Sequence, residues 1–260
     1  MDKDVFPAIG EIPVQQIKAR PLVESLEPIK ARGALEIVRR LVQRINEIMI
    51  YAVHTGLIDA NPASVIGMAF EKPKKQNMPT IRPEEVSKLM RPLVMSNLSV
   101  STRCLIVTLV RPSEAYDARW TEIDLDAKLW TIPAERMKTK REHIVPLSLQ
   151  ALEILDVMKP ISAHREHVFP SRNDPNQPMN SQTANAALKR IGYGGKLVGH
   201  GLRSIASTTM NEAGLNSDVI EAALAHIEKN EVRRAFNRST YLEKRKKLMS
   251  WWGNFIVNSK

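Results

Sequence analysis

His200-Gly201-Leu202-Arg203 is the stretch that decides how this sequence is interpreted, because of what lies on either side of it. Upstream, Arg111 lies in Leu109-Val110-Arg111-Pro112-Ser113-Glu114, and downstream His226 ends the segment Leu224-Ala225-His226. An arginine guanidinium presents a planar fork of donors that matches two phosphate oxygens, and it stays charged when partly buried. A histidine can donate a hydrogen bond or transfer a proton near neutral pH. Together these residues are the parts of a phosphate-binding site.

The spacing within these segments predicts where the side chains lie. His200 and Arg203 share one face of a helix that begins there, since residues three apart are neighbours, and a helix N-terminus attracts phosphate. Arg111 precedes a proline and is predicted at a helix end, where Glu114 can buttress it. Alone, Arg111 could be a surface Arg–Glu pair and His226 a core or capping histidine. Their joint occurrence favours a site whose cations stabilise the negative charge of a reacting phosphodiester.

A lysine is predicted on a hairpin in the second half of the chain. Residues 120–125 and 129–133 alternate apolar and polar positions, and residues 143–147 form a short apolar run. Together they predict three short strands of a small antiparallel sheet. Lys138 lies in the connection between the second and third of them. A lysine in such a connection can reach a groove and donate a proton to a leaving oxygen. The alternative is a solubilising basic turn.

The charge of the chain favours a polyanionic partner. Its 260 residues include 38 Lys and Arg against 28 Asp and Glu, a net charge of +10, and its sequence pI is about 9.8. Nucleic acid and an anionic membrane surface are the usual partners of such a protein. No apolar run approaches the roughly 18 residues of a membrane span, and no N-terminal segment is typical of a signal peptide. The single cysteine, Cys104, excludes a disulfide framework or cysteine-rich metal site, and its apolar surroundings predict burial.

Two domains are predicted. Residues 1–76 form a helical domain and residues 77–260 a second, larger domain, with the polar, basic and proline-bounded stretch between Phe70 and Pro79 as the boundary. This stretch contains Lys74 and Lys75. These lysines suit a protein that binds a charged rod, although a plain solvated linker has the same composition.

The strongest element of the first domain is a helix from about Arg32 to His54, whose apolar positions recur at steps of three and four residues. Arg39, Arg40 and Arg44 lie off this apolar stripe. They could contact a DNA backbone, and a solvated basic helix face is the alternative.

As a set, these motifs resemble the tyrosine recombinase family, the phage-type integrases, and specifically the branch found in satellite phages and genomic islands. Pro28-Ile29-Lys30-Ala31-Arg32-Gly33-Ala34-Leu35-Glu36 and Tyr51-Ala52-Val53-His54-Thr55-Gly56 resemble its core-binding domain. Trp130-Thr131-Ile132-Pro133-Ala134-Glu135-Arg136-Met137-Lys138 and the terminal Trp251-Trp252 resemble its catalytic domain. The resemblance implies a mainly α fold with a small antiparallel β-sheet, in which a helical core-binding domain is joined to an α+β catalytic domain.

The resemblance also implies a role for each site residue. Arg111 and Arg203 hold the non-bridging oxygens of the scissile phosphate. His200 assists proton transfer from the nucleophile, Lys138 protonates the departing 5'-oxygen, and His226 adds a hydrogen bond to the phosphate. The implied reaction needs neither a metal nor a cofactor, because a tyrosine hydroxyl attacks the phosphate and the bond energy is kept in a 3'-phosphotyrosyl link.

The nucleophile departs from the family pattern. The position that it usually occupies after the second histidine holds Phe236, which has no hydroxyl. Tyr241 is the only tyrosine of the C-terminal tail, and five residues at a helical rise of about 1.5 Å place it roughly 7 Å beyond Phe236. Three interpretations stay open: Tyr241 attacks after a rearrangement, Phe236 stands in a variant made to block cleavage, or the protein binds DNA without cutting it.

Partners and location follow from the same resemblance. It implies double-stranded DNA containing attachment sites, self-assembly into a tetramer on that DNA, no membrane, and a cytoplasmic, nucleoid-associated location in a bacterium. The additional N-terminal domain that binds arm-type sites in this branch is expected to be absent. The C-terminal tail either docks on a neighbouring subunit or packs onto its own core. A basic helical scaffold that binds RNA is the unrelated alternative.

Overall fold

The structure is a computed structural model, and its chain divides into two compact units, Met1–Asn77 and Met78–Lys260. It describes residues 1–73, 79–86, 88–89, 100–226 and 241–258. In the parts so described, no helix has both the length and the apolar composition needed to cross a bilayer.

The first unit is helical. Its α-helices are α1 (Phe6–Ile9), α2 (Ala19–Ala31) and α3 (Leu35–His54). The helix predicted from Arg32 to His54 is confirmed as α3, which begins three residues later because Gly33 adopts a φ of 75° and separates it from α2. One stripe of α3 is buried against α2 and forms the core of the unit, and it consists of Val38, Leu41, Ile45, Met49 and Ala52.

The second unit combines seven α-helices among its described residues with one small sheet. The helices are α4 (Val100–Thr108), α5 (Pro112–Tyr116), α6 (Leu149–Ser162), α7 (Thr183–Leu188), α8 (Gly201–Glu212), α9 (Ser217–Ala223) and α10 (Leu242–Asn258). Cys104 on α4 is buried as predicted, and this burial raises the pKa of its thiol to about 12.

The sheet contains the three predicted strands in sequential antiparallel order. They are β1 (Ile123–Asp124), β2 (Leu129–Ile132) and β3 (His143–Pro146). The first strand is shorter than predicted, since Trp120–Glu122 forms a 3-10 turn. Glu122 closes this turn, because its carboxylate accepts a hydrogen bond from the backbone N–H of Arg119 at 3.3 Å.

The C-terminal helix packs onto its own unit, which is one of the two alternatives for the tail. Trp252 of α10 is buried, and its indole Nε1–H donates to the backbone oxygen of Ile106 on α4 at 2.9 Å. A buried indole needs such a partner, because an unpaired donor costs about 1–3 kcal/mol. The hydrogen bond therefore fixes α10 against the helix that leads to Arg111.

Candidate active site

Arg111 lies immediately before α5 and is held by the glutamate predicted to buttress it. The Glu114 carboxylate accepts one hydrogen bond from the Arg111 backbone N–H at 2.8 Å and another from its guanidinium Nη1 at 2.9 Å. The Glu114 side chain is only 2% exposed, whereas that of Arg111 is 17% exposed. A carboxylate fixed at both oxygens sets the direction of the guanidinium.

Arg203 is buried on α8, and backbone oxygens rather than a carboxylate hold it. Its Nη1 donates to the backbone oxygen of Leu109, and its Nη2 donates to that of Leu224. Carbonyl groups orient a guanidinium without cancelling its charge. Burial first, and then the charge of Arg111, lower the pKa of Arg203 to about 10. The two guanidiniums therefore repel each other, and an oxyanion that contacts both would relieve this repulsion.

Two strained backbone positions hold these arginines. Leu109 and Ala225 adopt φ angles of 59° and 49°, which cost a residue with a side chain about 1–2 kcal/mol. The Leu109 oxygen accepts from Arg203, and the Ala225 oxygen accepts from Arg111 Nη2 at 3.4 Å. The strain therefore lies where the backbone must turn its carbonyl groups toward the arginine pair.

His226 lies beside this pair. Its Nε2 is 3.3 Å from Arg203 Nη2, and its Nδ1 is 2.8 Å from a carboxylate oxygen of Glu221. These contacts fit a ring whose Nδ1–H donates to Glu221 and whose Nε2 faces the arginine. His226 belongs to the arginine cluster and is neither a core nor a capping histidine.

His200 and Lys138 share the electrostatic field of the cluster. His200 precedes the first residue of α8, as the His-x-x-Arg spacing predicts, and its side chain is exposed. Partial burial of its ring lowers the pKa of His200. The positive charges of Arg203, Arg111, His226 and Lys138 lower this pKa further. The positive charge of Lys138, in the connection between β2 and β3, acts on His200 in the same direction as those of the arginines. Contacts at the turn of Leu224 and Ala225 bring Arg111, Arg203 and His226 together. That His200 and Lys138 complete one phosphate-binding site with them stays a prediction.

Sequence reasoning missed two buried groups behind this site. His143, the first residue of β3, is 7% exposed, and burial followed by the charges of Arg245, Arg203 and Arg111 lowers its pKa to about 3. Arg245 on α10 is 4% exposed. In the sequence, His143 was part of a strand pattern and Arg245 part of a basic tail, so neither had a signal that distinguished it from a surface residue.

A third missed residue links the Lys138 connection to the Arg111 helix. Arg136 donates to a carboxylate oxygen of Asp117 at 2.9 Å and to the backbone oxygen of Glu114 at 3.0 Å, and it also contacts the Glu122 carboxylate. Lys138 is two residues further along. Arg136 therefore couples the position of this connection to the turn that contains Arg111.

Two of the predicted positions concern the nucleophile. Tyr241 lies immediately before α10, and its ring is partly buried against the core of the second unit. The Lys244 ammonium is 5.6 Å from the centroid of that ring. Phe236 lies outside the described residues. The identity of the nucleophile stays a prediction.

The predicted DNA-binding residues of the first unit lie on the exposed side of α3. Arg39 and Arg40 pair with Glu36, at 2.7 and 3.2 Å, and Arg44 pairs with Glu47 at 2.6 Å. Solvent screens exposed pairs of this kind, so phosphates can replace the glutamates at little cost. Lys74 and Lys75 lie outside the described residues.

No set of three or more metal-ligating side chains converges in the described ranges. The cluster of arginine, histidine and lysine is cationic, which suits an anion.

Comparison with known proteins identifies the family. A model described as the phage integrase family matches residues 79–243, and a model of the phage integrase central domain matches residues 1–69. The chain belongs to the phage integrase family. This membership confirms the resemblance to the phage-type integrases, and the first model includes every residue of the cationic site.

Relatives within the phage integrase family are similar along nearly the whole chain. Prophage integrase IntA of Escherichia coli strain K12 is 61% identical over 260 residues, which cover 98% of this chain and 63% of that protein. The integrase of Enterobacteria phage P4 is 38% identical over 274 residues, which cover 97% of this chain and 62% of that protein. The chain thus spans about three-fifths of the length of these relatives.

Solved integrase structures share the fold. A lambda integrase dimer bound to a COC' core site matches with a TM-score of 0.65 at 18% identity, covering 92% of this chain and 86% of that one. The Tn1549 transposon integrase in complex with circular intermediate DNA matches with a TM-score of 0.64 at 12% identity, covering 92% and 87%. These matches confirm the predicted mainly α fold with a small antiparallel sheet.

Proposed function

We propose that this protein is a site-specific DNA recombinase, an integrase that cleaves and rejoins DNA strands through a covalent 3'-phosphotyrosyl intermediate. The observation that carries the proposal is the arginine pair. Arg111 and Arg203 come from distant parts of the sequence, and both donate to the turn at Leu224 and Ala225, with His226 beside them. Membership of the phage integrase family gives this cationic site its substrate class.

Each residue of the site has a step in the reaction. Arg111 and Arg203 bind the non-bridging oxygens of the scissile phosphate and stabilise the charge that develops there, an effect worth about 10²–10³ in rate for one donor. His226 donates a further hydrogen bond to the phosphate. His200 accepts the proton of the attacking hydroxyl, and its lowered pKa keeps the ring neutral at physiological pH. Lys138 gives a proton to the 5'-oxygen as the phosphorus–oxygen bond breaks.

The intermediate conserves the energy of the broken bond. The tyrosine oxygen forms a bond to phosphorus while the 5'-oxygen leaves, so one phosphodiester replaces another. A 5'-hydroxyl from a second strand then attacks the phosphotyrosine and restores the DNA backbone. Every step exchanges one oxygen for another at the same phosphorus, and these side chains supply the charge and proton transfers that it needs.

The nucleophile separates two versions of this function. Tyr241 is the candidate within this chain, and Phe236 occupies the position that the family pattern gives to the tyrosine. The alternative function is therefore a catalytically blocked or inactive integrase homologue that binds DNA without cutting it. Phe236 is the observation that favours this alternative.

Covalent trapping tests both versions. A nicked duplex, selected for binding from a random library, is incubated with the wild-type chain, Phe236→Tyr and Tyr241→Phe. A DNA adduct that survives denaturation in the wild-type chain, and that Tyr241→Phe removes, assigns Tyr241. An adduct formed only by Phe236→Tyr assigns position 236 and a blocked natural chain. Absence of an adduct from all three, despite binding of the duplex, would contradict recombination by this chain.

We further propose attachment-site duplex DNA as the partner, a tetramer as the active assembly, and the nucleoid-associated cytoplasm as the location. The net charge of +10 supports the DNA partner, and a lambda integrase solved as a tetramer bound to a Holliday junction is the precedent for the assembly. We assign backbone contacts to Arg39, Arg40, Arg44, Lys74 and Lys75.

Binding measurements test the partner. Affinity for a long duplex should fall steeply as salt rises, because phosphate neutralisation releases counterions. Single-stranded RNA that competed better than duplex DNA at every salt concentration would favour an RNA-binding scaffold. Sedimentation with and without a four-way junction tests the tetramer.

A further inference from the structure

The first turn of α10 contains a buried cation that the proposed reaction leaves without a role. Arg245 is 4% exposed, and its buried Nε has no hydrogen-bond partner among the residues that the structure describes. Within the described ranges no carboxylate lies at ion-pair distance from it, and its Nη1 donates to the backbone oxygen of Ile144 at 2.7 Å. Burying a charge in this way is costly, and an apolar side chain of similar volume is often as stable or more so. Stability alone therefore does not explain an arginine here.

The contacts of Arg245 join two segments that belong to the site. Its backbone N–H donates to the oxygen of Tyr241 at 2.8 Å and begins the helix. Its guanidinium binds Ile144 of β3, the strand that returns from the Lys138 connection. Tyr241 is thus tied, through Arg245, to the strand that follows the proton-donating lysine.

The rest of α10 is fixed independently of Arg245. The Trp252 indole donates to Ile106, and Leu248, Met249 and Ile256 are buried in the core. These contacts lie in later turns of the helix. In the first turn, among the described residues, the hydrogen bond of Arg245 to Ile144 joins the helix to the sheet.

We propose that Arg245 is a positioning residue for strand cleavage, because the contact of its guanidinium with the Ile144 carbonyl fixes Tyr241 and the first turn of α10 against β3. This inference rests on the proposed function. It holds for either candidate nucleophile, since positions 236 and 241 both precede Arg245 in the segment that this contact ends.

The experiment compares Arg245→Met with its parent, which is the wild-type chain or Phe236→Tyr, whichever forms the covalent adduct. Methionine matches much of the arginine stem but has no donor for Ile144. We expect duplex binding within threefold of the parent and adduct formation slower by at least tenfold. Lys246→Met is the matched control, because Lys246 lies next in sequence and its ammonium pairs with Glu243 at the surface, at 2.8 Å. It should form the adduct at the parental rate.

An external nucleophile distinguishes positioning from damage to the phosphate site. With hydrogen peroxide, hydroperoxide can attack the phosphorus in place of tyrosine, while the 5'-oxygen leaves with the bonding electrons and takes a proton. This cleavage needs the arginine pair but not the nucleophile segment. The chain without a nucleophile is Tyr241→Phe if Tyr241 attacks, and the wild-type chain if position 236 holds the nucleophile. Adding Arg245→Met to that chain should therefore change peroxide-driven cleavage by less than threefold.

Each result decides the inference. Adduct formation by Arg245→Met within twofold of the parent would overturn it, and so would an equal loss of peroxide-driven cleavage. If Arg245→Met does not fold, Arg245→Leu, which likewise has no donor for Ile144, serves in the same comparison with the same criteria. A parent that forms no adduct at all would instead be a failure of the proposed function.

Discussion

Acidification should destabilise this protein through the buried side chain of His143. Burial and the charges of Arg245, Arg203 and Arg111 hold the pKa of His143 at about 3, against an ordinary value of 6.5. Above pH 6.5 the ring is neutral in both the folded and unfolded chains and contributes nothing. Below pH 6.5 the His143 ring is protonated in the unfolded chain but stays neutral in the folded chain. Stability is then lost at about 1.4 kcal/mol per pH unit, until the folded ring is protonated near pH 3.

At pH 5, which lies about 1.5 units below the ordinary pKa, the loss in the free energy of unfolding is about 2 kcal/mol. Other groups also titrate in this range, so the test is a difference between variants. His143→Gln removes the titrating ring, and His164→Gln at an exposed position is the matched control. The free energy of unfolding, measured in urea at pH 7.5 and pH 5, should fall by about 2 kcal/mol less in His143→Gln than in the wild type. Equal losses in the wild type, His143→Gln and His164→Gln would refute the reasoning.

Three substitutions test other parts of the site. Arg203→Ala should slow adduct formation by roughly 10²–10³ while duplex affinity changes little, because one phosphate contact is a small part of a long interface, and an equal loss of both would contradict its role. Gly201→Ala places a Cβ 2.5 Å from the backbone oxygen of Pro79. It should lower the free energy of unfolding in urea by about 1–3 kcal/mol. Ser204→Ala, at an exposed position of the same helix, is the control and should lower it by less than about 0.5 kcal/mol. Arg136→Met removes the cationic partner of the buried Glu122 carboxylate and should cost about 3–5 kcal/mol in urea unfolding, and a loss below about 1 kcal/mol would contradict this pairing.

Local periodicity was enough to predict much of the fold. The helix up to His54 and the strands around Trp130 and Val145 follow from apolar spacing within each segment, which depends only on neighbours in sequence. The contact between Glu114 and Arg111 was predictable as well, because these residues are only three apart in sequence. Strand limits were less accurate, because the turn at Trp120 is closed by side-chain hydrogen bonds that alternation does not record.

The support behind the site was not predictable from spacing. The carbonyl groups that hold Arg203 depend on a positive φ at Leu109, a residue type that disfavours this conformation. The burial of His143 and Arg245 depends on how α10 packs against β3. These features depend on contacts between segments that are far apart in sequence. A pattern within one segment therefore cannot predict them.

Binding of an oxyanion tests the central claim most directly. A crystal structure of the chain soaked with orthovanadate should show one vanadate ion within hydrogen-bond distance of both Arg111 and Arg203, with His226 beside it. Vanadate bound to only one of these arginines, or bound elsewhere with the pair untouched, would contradict a shared phosphate site.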